Sequence, residues 1–151
     1  PPEEPPKSAA ELGREAVAND AWLDALGGVV KRVPVMDENG LVIDHVLEPI
    51  VGGKIEGGAP DKVFYYRCGD DALRGYRIHA GDLLLTVPER VPVDEAVMLL
   101  QVNGARVARK VVKQDGGRLL LQSYDREFKG EIVPLKEVLV LGRCVKLLRR
   151  L

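Results

Sequence analysis

The sequence is poorest in side chains that could attack a carbonyl: Ser8, Thr86 and Ser123 are its whole serine and threonine inventory. Nucleophilic catalysis needs a hydroxyl or thiol beside a base, so this scarcity leaves few candidates. Cysteine is rarer still. Cys68 and Cys144 cannot make a disulfide framework and have no Cys-x-x-Cys spacing, which favours a reducing compartment, the cytoplasm. His45 and His79 lack a third partner at ligand spacing, so neither a metal nor a cofactor is expected. Aromatic residues are only 5% of the chain and do not interleave with basic ones as a nucleic-acid stacking surface requires. No apolar run approaches the roughly 18 residues of a membrane span, and no signal or lipidation motif occurs, so no membrane role is expected. A formal net charge of -1 argues against a broad basic face for a polyanion; if the protein contacts DNA, another part does so.

What is present suits one ordinary core: 151 residues, 46% apolar and 30% charged. The opening Pro1-Pro2-Glu3-Glu4-Pro5-Pro6 reads as linker, the start of an excised fragment. Ser8 and Glu11 then fit a capping box, and Ala10, Leu12, Ala16, Ala18, Trp22, Leu23 and Leu26 predict a helix that Gly27-Gly28 ends. Residues 1–30 are thus expected to be linker and short helix, and 31–151 the body. From Val29 onward short β-branched runs dominate, broken by Asp37-Glu38-Asn39-Gly40, Asn103-Gly104 and Asp115-Gly116-Gly117. Strands are expected near 29–35, 41–43, 63–68, 83–85, 97–102, 106–112, 119–122 and 138–148, a mainly β, antiparallel meander. Gly52-Gly53-Lys54 and Gly57-Gly58 invite a phosphate-loop reading, but no Ser or Thr follows Lys54, and a plain mobile loop is expected. Arg143, Lys146, Arg149 and Arg150 form a basic cluster that reads as a solvated strand end.

Four local patterns occur in a set order. Gly69-Asp70 and Ala72-Leu73 are followed by Ile78 and by Ala80-Gly81-Asp82-Leu83-Leu84-Leu85; then come Ala108-Arg109-Lys110-Val111, the stretch from Leu119 to Phe128, and Leu141-Gly142-Arg143-Cys144-Val145. This order resembles the C-terminal domain of LexA, UmuD and related phage repressors, a family of self-cleaving serine peptidases fused to DNA-binding domains. The family's nucleophile segment runs Gly-Asp-Ser-Met, Ile, Asp-Gly-Asp and an apolar strand, and its base lies in a Val-Lys-Arg-apolar strand. The resemblance covers about Val33 to the C-terminus and implies a mostly antiparallel β fold.

The same resemblance implies a Ser-Lys dyad, and both positions are altered. Ala72 stands where the serine would be and Arg109 where the lysine would be. A methyl cannot attack, and a guanidinium keeps its proton. The family's Ala-Gly or Cys-Gly scissile pair is also absent from residues 1–67. A natural pseudo-peptidase is the expected state. The alternatives are an active autopeptidase captured as a Ser-to-Ala mutant at 72, with Lys110 as base in a shifted register, or a stand-alone interaction module. Arg109, if half-buried, is expected to pair with Asp70 or Asp71. By resemblance the domain is the regulatory and dimerisation part of a transcriptional repressor. It is expected to be a homodimer whose DNA contacts come from a helix-turn-helix upstream. Val138, Val140, Val145 and Leu147 are the expected dimer edge, although a last strand buried within one chain would have the same sequence.

Overall fold

A computed structural model describes residues 29–151; the expected linker and N-terminal helix lie outside the described residues. The β-branched runs form nine strands: β1 (Val30–Met36), β2 (Val42–Pro49), β3 (Phe64–Arg67), β4 (Leu83–Pro88), β5 (Val97–Val102), β6 (Ala105–Gln114), β7 (Arg118–Tyr124), β8 (Phe128–Pro134) and β9 (Leu139–Leu148). They make one sheet in the order β2-β1-β3-β4-β9-β5-β6-β7-β8. Every pairing is antiparallel except β1 with β3, where Val35 and Met36 lie beside Tyr65 and Tyr66. After the β1–β2 hairpin the chain crosses to the other side of β1, and a strand placed there by a crossover can run parallel.

Turn chemistry sets the hairpins. Asn103 and Gly104 both have positive φ, 52° and 80°, as a two-residue type I′ turn requires. The Asp37 carboxylate accepts the Asn39 and Leu41 amides, and these bonds, Leu41 foremost, hold its pKa below the ordinary value against desolvation.

Three sequence expectations need correction. β8 was not anticipated, because Lys129-Gly130-Glu131 interrupts the apolar pattern; it is a sheet edge with one buried side chain, Val133. The glycine-rich loop is not free: bridges Val51–Lys54 and Ile55–Gly58 fold it into two tight turns, and Ile55 is buried among Val33, Val63 and Leu85. Finally, β9 is no edge. Its first half pairs with β5 and its second half with β4. Val138 and Val140 pack on Met98 and Leu100, and Val145 joins the cluster around Leu85, so of the expected dimer edge only Leu147 is exposed. An apolar strand enclosed by neighbours reads like an apolar edge, which is why the pattern misled. The sheet's terminal strands are β2 and β8.

Candidate functional site

The segment between β3 and β4 is closed at its neck by backbone bonds from the Cys68 amide to the Asp82 carbonyl and from the Gly81 amide to the Cys68 carbonyl, both 2.8 Å. Inside the neck three aspartates each tie a local turn. Asp70 Oδ1 accepts the Ala72 amide at 3.1 Å, Asp71 Oδ1 the Ala80 amide at 3.0 Å, and Asp82 Oδ2 the His79 amide at 2.8 Å. Short acidic side chains favour this local capping, which explains their density here. Leu73 anchors the segment; it is fully buried against Tyr66, Cys68, Leu84, Leu99 and Ala108. A 3₁₀ turn, Arg74–Tyr76, follows. Gly75 lies against Tyr124, where an added Cβ would come within 2.5 Å of the ring, and the Tyr124 amide donates to the Ala72 carbonyl at 2.7 Å.

Arg109 reaches this segment from β6. Its Nη2 lies 3.1 Å and its Nη1 3.4 Å from the two Asp70 carboxylate oxygens, and Nη1 also donates to the Ala108 carbonyl at 2.7 Å. One carboxylate therefore holds both the Ala72 amide and the guanidinium. With the Arg109 side chain only 20% exposed, this partner offsets part of the cost of taking the charge out of water. Asp71 takes no part: its bonded oxygen faces Ala80. Lys110, the next residue of β6, has its Nζ 5.6 Å from the centre of the Tyr76 ring in the same segment. Tyr76, Tyr124 and Phe128 form an aromatic cluster beside it, with Tyr124 and Phe128 stacked at 4.0 Å.

The remaining hydroxyl and thiol candidates have structural settings. Ser123 lies in β7. With Arg109, Lys129 and Glu131 it lines a cleft of ≈ 450 Å³. The thiols are inert by environment: burial raises Cys68, and burial pushes Cys144 up to about 12. Among the described residues no group of three His, Cys, Asp or Glu could hold a metal, and no helix is long and apolar enough to cross a membrane. The basic cluster is largely spent within the fold, because Lys146 pairs with Glu48, Arg149 with Asp82 and, more loosely, Arg150 with Asp44. Sequence reasoning missed Glu48. This carboxylate is buried between the Tyr65 hydroxyl and the Lys146 ammonium, and nothing in an exposed-looking β2 sequence marks it.

The Asp70–Arg109 pair makes a measurable prediction. Asp70→Asn keeps an acceptor for the Ala72 amide and removes the charge that faces Arg109. The expected loss is about 1 kcal/mol in urea unfolding, small because the Asp70 side chain is 41% exposed.

The arrangement thus brings the turn at Ala72 and Arg109 of β6 together on one carboxylate, Asp70. No curated protein matches the sequence. The Peptidase S24-like family model matches residues 38–145, which span the turn at Ala72, β6 and most of β9. This chain belongs to the Peptidase S24-like family, that of LexA and UmuD.

Proposed function

We propose that the domain is the C-terminal regulatory and dimerisation module of a LexA-like transcriptional repressor and that it does not cleave itself. The observation that carries this reading is the Asp70 carboxylate, which holds the Ala72 amide and the Arg109 guanidinium together. The base position is occupied by a group that cannot accept a proton and is tied in an ion pair. A serine trapped as alanine would need Lys110 as its base in a shifted register, whereas it is Arg109 that shares the Asp70 carboxylate with the Ala72 amide. DNA contact would come from a helix-turn-helix upstream, in the cytoplasm. Because β9 lies within the sheet, the dimer contact is assigned to a terminal strand, β2 or β8. Leu41, Val42 and Ile43 beside the one and Phe128 and Ile132 on the other are exposed apolar residues suited to burial.

Ala72→Ser tests the silence. Incubated at alkaline pH, where a lysine base would be most readily neutral, the variant is expected to remain a single band on a gel, since Arg109 cannot activate the new hydroxyl. Two fragments would establish the autopeptidase reading instead. Light scattering on the unmodified chain tests assembly: a particle of twice the 16.5 kDa monomer mass is expected, and a monomer at every concentration would overturn the dimer.

A further inference from the structure

A second cavity of ≈ 610 Å³ lies away from Arg109, at the end of the sheet where β1, β2 and β4 meet the C-terminus. Its volume is within the range of small-molecule sites. Val35, Ile43, Leu83 and Leu148 give it an apolar floor, and Arg67, Arg149 and Arg150 bring three guanidinium groups to its wall against two carboxylates, Asp44 and Asp82.

These charges are not equally engaged. Arg149 is committed, with two bonds to Asp82 and a third to the Arg77 carbonyl. Arg150 touches Asp44 only at 3.8 Å, with both side chains more than half exposed, so that contact is weak. The Arg67 side chain forms neither a hydrogen bond nor an ion pair with a described residue, and Asp37 acts on it only at longer range. The cavity therefore has one uncommitted guanidinium and one loosely held, above an apolar floor.

We propose that this cavity binds an amphipathic organic anion, with a carboxylate or phosphate ester held by Arg67 and Arg150 and an apolar body laid on Ile43, Leu83 and Leu148. A guanidinium fork suits either head group, and burial of the tail supplies the non-ionic part of the affinity. A neutral ligand of the same shape would leave Arg67 unpaired and gain only the apolar part. Occupancy also bears on the loop at Ala72, because Ala80, Gly81 and Asp82 form part of the wall and are hydrogen-bonded to Asp71 and Cys68. Binding here is independent of whether the protein represses transcription.

The test titrates the whole 151-residue chain with octanoate, octyl phosphate, octanol and acetate, followed by calorimetry and by amide shifts. Saturable binding of octanoate, octyl phosphate or both is expected, with octanol and acetate at least about ten-fold weaker. The stronger of the two anions identifies the head group. Arg67→Gln, an exposed substitution that spares the core, is expected to weaken the anion about ten-fold and leave octanol unchanged. Ile43→Asp, at a position 41% exposed, is expected to abolish binding. Shifts should centre on Gly81, Leu83 and Leu148. Failure of both octyl anions to bind, octanol binding as well as they do, or Arg67→Gln binding unchanged would each overturn the proposal.

Discussion

Asp82→Ala is expected to cost about 3 kcal/mol, among the largest losses available from a polar side chain in this fold. The carboxylate is only 3% exposed and accepts three bonds: from Arg149 Nε at 2.8 Å, from Arg149 Nη2 at 2.6 Å and from the His79 amide at 2.8 Å. Truncation leaves the His79 amide without its acceptor and releases Arg149. That guanidinium is 45% exposed and recovers some hydration, which keeps the loss below that of a fully buried pair. The same site makes stability depend on acid. Arg149 foremost, with the His79 amide, holds the Asp82 carboxyl below the ordinary value of 3.8, against desolvation. A carboxyl with a lowered folded pKa takes up protons first in the unfolded chain. Its contribution is therefore complete above the unfolded value and is lost as pH falls through the folded one. Urea unfolding of the native chain should weaken steeply below about pH 4, and Asp82→Ala should flatten that dependence, leaving the share due to Asp37. A variant as stable as the parent at neutral pH, or one with the parent's acid dependence, would show that Arg149 and His79 are satisfied in some other way.

Asp82 also shows how far the sequence could be read. Its place in Ala80-Gly81-Asp82 was visible as a pattern, and Gly81, at φ +90°, explains the glycine. The partner, 67 residues away in a cluster that looked like a solvated strand end, was not visible. Most strands were legible because β-branched runs and Asn-Gly or Asp-Gly turns are local signals. β8 was hidden because an edge strand needs few apolar residues, and the position of β9 was hidden because enclosure is a property of the neighbours. Gly142, noticed only as part of a family-like Gly-Arg pattern, has a reason only the pairing reveals. An added Cβ would fall 2.7 Å from the Val87 carbonyl oxygen, where β9 crosses from β5 to β4. At the candidate site, it was the resemblance to the family's pattern that matched Ala72 and Arg109 to one site. The choice of Asp70 over Asp71 as the partner follows from the turn, since adjacent carboxylates here cap different amides.

Leu73→Ala is expected to destabilise the domain by about 3 kcal/mol and to loosen the segment that presents Ala72. Leu73 directly follows Ala72, and its side chain is fully buried against Leu99, Ala108, Leu84 and Tyr66. Its carbonyl also accepts the Tyr76 and Ile78 amides, so side chain and backbone together hold the 3₁₀ turn on β5 and β6. The cavity left by truncation is walled by central strands paired on both sides, β4 and β5 among them, which cannot collapse into it. Hydrogen exchange separates local from global effects. In the native chain the Tyr76 and Ile78 amides should be protected well above an exposed loop, and in the variant they should exchange faster than the β5 and β6 amides do. A loss under about 1 kcal/mol with protection unchanged would mean that the turn is held by Asp70, Asp71 and Gly75 alone. The larger loss would instead show that the segment carrying Ala72 is built on the core of the sheet, through the burial of Leu73 against β4, β5 and β6.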